Sequence, residues 1–508
     1  MSVIVPPIQA PVARASAKDW AGLVILAFAV LLIAVDGTVL DLALPFISAD
    51  LEPSSTQLLW IIDVYSFVLA GLLITMGTLG DRVGRRRLLM IGAAGFGLAS
   101  VLTAWAPTPE LLIAARVLQA LSGATLMPAT LGLIRTMFAD PRQRTLAIGV
   151  WGAMAGGGTA AGPLVGGWLL EHFWWGSVFL VNLPVLAVLL AAGPILIPES
   201  KDPAPGRFDL RSMALSMLTM LPLVYAVKEM VVHGVDAPLS VTAAVGVTAG
   251  FAFVRRQRSM VNAMIDPGLF GKRTFTTAVV TNLLSIFALS GLLFFGSQYL
   301  QLVLGYSALD AGLLMLPGMV MSAVTALAAA WLIRRWSVGA VLGAGLATAA
   351  LGAAVMIGLG TDTGPDLFVI GFLLAGAGIG FALTLTSDLV VSSVEPERAG
   401  AASAVSETAY ELGVALGVAV LGSVVMAVFR AGVDTSMLGE HGAEAAKGTL
   451  GAAMAEAQSL SEPAAALLHG SAALAFVDGM HVASGIVALI LAGTAVLVIG
   501  LLRRPVSG

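Results

Sequence analysis

Two carboxylates set in an otherwise apolar stretch raise the first chemical question. Glu407 and Glu411 lie within GAASAVSETAYELGVALGVAVLGSVVMAVF, Gly400 to Phe429. One helical turn apart, they share a helix face. The stretch is long enough to cross a bilayer, which takes roughly 20 residues. Small residues line it, as close helix packing in lipid requires. A charge in the membrane interior is expensive, so such a pair is expected to face a wet cavity and to do work there. The plainer reading for Glu407 is solvation at a cytoplasmic mouth. Asp36 lies well inside another apolar run and is the best candidate for a second functional carboxylate. Arg116, deep in a third run, is a cation that demands a partner. Asp41 stands five residues from Asp36 and so points roughly 140° away from it on a helix, toward another helix or the outer mouth. Asp63 and Tyr65, near the outer end of their own run, are placed to join the same cavity. Carboxylates and one arginine in lipid fit reversible binding of protons and cations.

Aromatic faces would complete a cation site, each cation–π contact contributing ~0.5–2 kcal/mol. Tyr65, Tyr410 and Trp60 are the candidates, because each is near a membrane carboxylate in the chain. Trp60 is equally suited to packing or to anchoring at the membrane interface. Asp310 reads as a helix cap, and Asp140 and Asp388 read as solvated cytoplasmic ends. None of the five histidines falls in a metal-ligand pattern.

The elements that must position these groups are membrane helices. The chain has 508 residues, 58% of them hydrophobic and 11% charged, with a mean hydropathy of +0.96. Soluble proteins average about a quarter charged residues, so an ordinary soluble fold is excluded. The net charge of −4 argues against a nucleic-acid partner, and the absence of cysteine excludes disulfides and thiolate metal sites. Residues 1–20 lack the apolar core of a cleavable signal.

Apolar runs occupy 21–45, 58–79, 88–106, 109–134, 145–170, 176–197, 211–229, 239–254, 274–297, 311–333, 338–359, 367–390, 401–429 and 479–502. Fourteen spans are therefore expected. With both termini in the cytoplasm, all of the 26 Lys and Arg fall on the cytoplasmic side except Arg116, Lys228, Arg430 and Lys447. The positive-inside rule thus supports the count. The Pro-containing link 198–210 and the alanine-rich external segment 430–478, with helical-looking Gly442–Gln458, are the longest connections. They divide the chain into a first six-helix bundle (1–197), a linker with two inserted helices (198–273) and a second six-helix bundle (274–508). Arginines after the second and tenth spans echo one another, as parallel transporter halves would.

Four motifs carry a family resemblance: DGTVLDLALP (Asp36–Pro45), GTLGDRVGRRRLL (Gly77–Leu89), LIAARVLQALSGA (Leu112–Ala124) and GTAAGPLVGG (Gly158–Gly167). WIIDVYSFVLAGLL and AVSETAYELG add to it. Together they resemble the major facilitator superfamily, specifically its fourteen-span drug:proton antiporter branch of quaternary-ammonium and dye exporters. The resemblance covers essentially the whole chain. It departs from the pattern at Ala120, where glycine is usual, and at Asp41, where asparagine or an apolar residue is.

In the loop motif, Gly77 and Gly84 allow close approach and tight turning. Asp81 can accept from arginine and from a helix N-terminus. With Arg82 and Arg85 these residues form a conformational latch. Gly158, Gly162, Gly166 and Gly167 make a small-residue ridge that Pro163 bends; the resemblance marks it as the antiporter motif and gives Arg116 a part in proton relay.

The expectation is an all-α membrane protein in the bacterial cytoplasmic membrane. It would be a monomer that exports lipophilic cations in exchange for protons and needs no cofactor. No G-x-x-x-x-G-K-[ST] phosphate loop occurs, so ATP is not the fuel. The competing expectations are a symporter importing a polar nutrient, and a membrane sensor or enzyme on a transporter fold. An enzyme would need a nucleophile–base pair or metal ligands in the spans.

Overall fold

The computed structural model describes residues 14–53, 55–203, 209–233, 237–260, 263 and 265–502. They form α1 (Ala17–Leu51), α2 (Ser55–Val83), α3 (Arg85–Ala104), α4 (Pro109–Met137), α5 (Pro141–His172), the single turn α6 (Ser177–Leu180) and α7 (Asn182–Leu196). A hairpin of α8 (Leu210–His233) and α9 (Ala237–Ser259) follows. The rest comprises α10 (Arg273–Gln298), α11 (Ala308–Leu332), α12 (Val338–Val355), α13 (Asp366–Ser392), α14 (Ala399–Leu416), α15 (Gly422–Gly432), α16 (Glu440–Gly448), α17 (Leu450–Ala457) and α18 (Glu462–Leu501).

Twelve helical segments among the described residues are long and apolar enough to cross a membrane. The other two expected spans are helices as well. In α5, 32 residues long, a run of glycines dilutes the apolarity; in α8 the described residues include the apolar stretch Leu210–Ala226.

Packing follows the small residues. In the first half α1 lies on α5, α2 and α3 lie on α4, and α7 covers α1 and α3. In the second, α13 packs between α11 and α12, and α10 packs on α13 and α14. The halves meet where α5 crosses α11 and where α14 crosses α2 and α4. These crossings are backbone-close. A Cβ on Gly77 would stand 2.5 Å from the Gly400 carbonyl oxygen, and one on Gly149 would stand 2.6 Å from that of Ala326. The α8–α9 hairpin packs on α2, with Leu221 filling the space over Gly71.

Two expectations are corrected at the far end of the second half. The last span begins not at residue 479 but at Glu462, as one 40-residue helix. The segment expected to be a long loop is largely helical. Its helical-looking part splits at Thr449, whose extended backbone ends α16 and whose hydroxyl accepts from Ala452 N at 3.0 Å to start α17. Ala446, Leu450, Ala453 and Leu468 are fully buried and share one core with Phe429 and Phe476. A folded cap therefore sits on α15 and α18.

Candidate functional site

Asp36 sits on α1 with no exposed surface. Arg116 of α4 donates to its Oδ2 at 3.3 Å; Gln119 and Asn182 donate to its Oδ1 at 2.7 and 2.8 Å. Arg116 also donates to Gln119 Oε1 at 3.0 Å, and Asn182 to Ser100 Oγ at 3.2 Å. Four helices (α1, α3, α4 and α7) thus converge on one carboxylate. The partner that Arg116 required is Asp36. The Arg116 guanidinium lies 4.5 Å from the Tyr65 ring centroid and 5.9 Å from that of Phe179. Tyr65 Oη, Arg116 Nε and Asn182 Oδ1 are buried without a hydrogen-bond partner among the described residues.

The second carboxylate centre is on α14. Glu407 is 5% exposed, so it is buried and not solvated, while Glu411 and Tyr410 are half-buried. On the preceding residue, Ser406, the carbonyl and hydroxyl accept from Asn282 of α10 at 3.1 and 3.2 Å. Tyr65 stands on α2, which packs against α4 of its own half and against α14 of the other, so α2 adjoins both centres. Trp60 is exposed and packs edge-on against Phe67, which in turn meets Tyr225 of α8. It therefore stands on the flank of α2 toward the inserted hairpin. Asp41, Asp63 and Pro163 are on α1, α2 and α5, and their side chains lie outside the described residues.

The loop motif folds into a latch at the arginine-rich end. Gly84, at φ +110°, turns the chain from α2 into α3 where any side chain would be strained and would strike Glu199. Arg85 is fully buried: its Nε donates to Asp81 Oδ1 at 2.7 Å. Its Nη1 donates to Gly132 O, Thr136 Oγ1 and Ser200 Oγ at 3.0–3.1 Å, and its Nη2 to the carbonyls of Pro396 and Glu397 at 2.7 and 2.8 Å. Asp81 in turn accepts from Gly400 N and Ala401 N at 3.1 and 3.0 Å. A carboxylate at the start of α14 is where the helix dipole favours it. Arg82 is half-buried on the rim of a cavity of about 630 Å³ beside Asp81. In the ridge on α5, Gly158 and Gly162 face α1 at Leu31 and Thr38, Gly166 is buried, and open space surrounds Gly167.

A second clasp crosses the halves at the same end. Arg144 of α5 pairs with Asp388 of α13 at 2.7 Å, and Thr145 donates to the same carboxylate at 2.6 Å. Asp388, expected to be solvated, is a structural anion instead, because α5 brings a cation to it. Asp140 caps α5 through Arg142 N at 2.7 Å, and Asp310 reciprocates with the cap residue Ser307.

Sequence reasoning missed Asn182, Ser100, Glu199 and Asn282. The lone asparagine in an apolar run was a usable signal for Asn182. Glu199 was a visible acid after a span, but its role, accepting from Arg86 N and Arg87 N at the start of α3, depends on a tertiary crossing.

The family model described as Major Facilitator Superfamily matches residues 26–418. The chain is 46% identical over 492 residues to the "Multidrug efflux pump LfrA" of Mycolicibacterium smegmatis, covering 97% of this chain and 98% of that one. It is 37% identical to the "Methyl viologen resistance protein SmvA" of Salmonella typhimurium (82% of this chain, 84% of that one). It is also 37% identical to the "Puromycin resistance protein pur8" of Streptomyces alboniger (84% of each). Among solved structures, the human organic anion transporter MFSD10 superposes with a TM-score of 0.61 at 16% identity, over 95% of this chain and all of that one, a likeness of fold alone.

Proposed function

This chain belongs to the Major Facilitator Superfamily, and from that premise we propose that it is a proton-coupled exporter of lipophilic organic cations. The observation that carries this reading is the half-buried Glu411, on the helix of the second half that packs against α2 and α4 of the first. A carboxylate there can hold a cation between two bodies that rock against each other. The relatives named for multidrug efflux and for resistance to methyl viologen, itself an organic dication, favour the same substrate class.

The cycle is derived from the charges. With the arginine-rich end in the cytoplasm of a bacterial cell, Asp81–Arg85 and Arg144–Asp388 hold the cytoplasmic side shut in this conformation. A proton arriving from outside neutralises a carboxylate and removes the attraction that held the cation, which leaves. After the latch opens inward, proton release restores the charge and a new cation binds. Exchange of this kind requires only that each ligand favour a different state. The proton gradient supplies the energy, the chain acts as a monomer, and no bound cofactor takes part.

The test measures protons released when purified protein binds a lipophilic cation, in the parent and in Asp36→Asn, Glu407→Gln and Glu411→Gln. Reduced release is expected in Asp36→Asn and Glu411→Gln, with a substrate-dependent effect in Glu407→Gln. Parental release from all three would place the coupling carboxylates elsewhere, with Asp41 and Asp63 next to be tested.

A further inference from the structure

Tyr65 has the shape of a drug-binding aromatic, yet its ring face is already taken. The Arg116 guanidinium lies 4.5 Å from the ring centroid, a distance at which a cation is attracted to the ring's negative face. The side chain is 6% exposed, and its hydroxyl makes no hydrogen bond among the described residues. What Tyr65 offers its surroundings is therefore the ring, and the ring serves Arg116.

Five elements meet around this pair. On α1 stands Asp36, on α4 Arg116 and Gln119, on α7 Asn182, and on α3 Ser100. Glu411 stands on α14 of the other half, which packs against both α2 and α4. Arg116 is thus bound on one side by the Asp36 carboxylate and on the other by the Tyr65 ring. Asp36 has no exposed surface, so a cation held by Glu411 does not touch it.

We propose that Tyr65 is a positioning residue for coupling: it holds the Arg116 guanidinium where the charge on Asp36 is sensed by a cation bound at Glu411. While Asp36 is ionised, it compensates Arg116, and the field at Glu411 is set mainly by Glu411 itself. A proton from the outer solution that adds to the Asp36 carboxylate leaves Arg116 uncompensated but still held by the ring. Its positive charge then repels the cation across a poorly screening interior. The proton and the exported cation need not share a carboxylate. This assignment rests on the proton-coupled reading above and deepens it by dividing the work between the two centres.

The experiment uses full-length protein and tetraphenylphosphonium as the probe. Affinity is measured at about pH 6 and about pH 8, a range in which coupling carboxylates must exchange protons to be useful, together with the protons released on binding. Tyr65→Phe, which keeps the ring, should retain the parental ratio of the two affinities. Tyr65→Leu should bring that ratio toward one and cut proton release at least about threefold, with affinity at the higher pH changed by less than about threefold; a tenfold change would signal a direct cation–π contact of the usual size. To guard against a folding defect in Tyr65→Leu, residue 65 is also replaced by phenylalanines of increasing ring fluorination, which drain the negative face at constant shape. The pH ratio should then flatten step by step. Affinity that falls equally at both pH values along the series would make Tyr65 a wall of the cation site and overturn the proposal, as would Tyr65→Phe behaving like Tyr65→Leu. A parent that binds the probe without releasing protons would instead overturn the proton-coupled reading, and the coupling role of Tyr65 with it.

Discussion

At the scale of single residues, the buried pair Asp36–Arg116 decides the most. Removing one partner of a buried ion pair typically costs about 3–5 kcal/mol, because the other charge is left uncompensated, whereas removing both costs much less. Asp36→Asn is therefore expected to lower thermal stability in detergent, and Asp36→Asn combined with Arg116→Gln to recover most of it. Equal melting of the single and double variants would mean that the amides of Gln119 and Asn182, not the guanidinium, hold the carboxylate. That Asp36 and Arg116 each need a partner was readable from their types, since lipid penalises any charge. That they are partners was not, because 80 positions separate them and only the crossing of α1 with α4 brings them within 3.3 Å. Asn182 was hidden for the same reason: one amide in an apolar run says nothing about which carboxylate it will meet.

At the scale of elements, the latch joins three segments that are far apart in sequence. Arg85 reaches α4 through Gly132 and Thr136, the link after α7 through Ser200, and the start of α14 through Pro396 and Glu397. Asp81→Asn keeps the shape but weakens charge-assisted bonds, which are roughly twice as strong as neutral ones. Transport should fall steeply while cation binding in detergent stays within about threefold of the parent; abolished binding in a folded variant would move Asp81 into the substrate site. The tight turn at Gly84 and the acceptor role of Asp81 were legible in the motif's spacing. The latch's acceptors on the link were not, since a Pro-containing tether gives no sign of being a structural part. The inserted hairpin has its own clasp, where the residue before α8 meets the last turn of α9. The two hydrogen bonds from Arg256 to Asp209, at 2.9 and 3.0 Å, hold that carboxyl well below the usual range. A depressed carboxyl contributes stability above its unfolded pKa of about 3.9 and loses it as pH falls through the folded value. The difference in melting temperature between parent and Asp209→Asn should accordingly be constant from neutral pH down to about pH 5 and shrink below about pH 4. A difference that persists undiminished into stronger acid would assign the clasp's stability to packing.

At the scale of the whole molecule, the helical content and the order of the apolar helices were legible, because hydropathy reports directly on lipid. The cap was not. Alanine-rich turns read equally well as loop or helix, and the polar break His469–Ser471 concealed that α18 continues through it. The cap touches α15, α18 and the end of α10, all of the second half. Labels on the cap and on α12 should therefore keep a constant separation when a cation or a proton gradient is applied, while labels on the cap and on α3 should change theirs. A change in the first pair would show that the cap moves on its own. The length of α18 gives this motion a scale. At 1.5 Å per residue its 40 residues form a rod of about 60 Å, twice the thickness of the lipid it crosses. A rod pinned in the second half works as a pointer: each 10° of tilt about its far end sweeps the tip near Glu462 through about 10 Å. Small rotations in the interior are thus displayed, magnified, at the tip of α18.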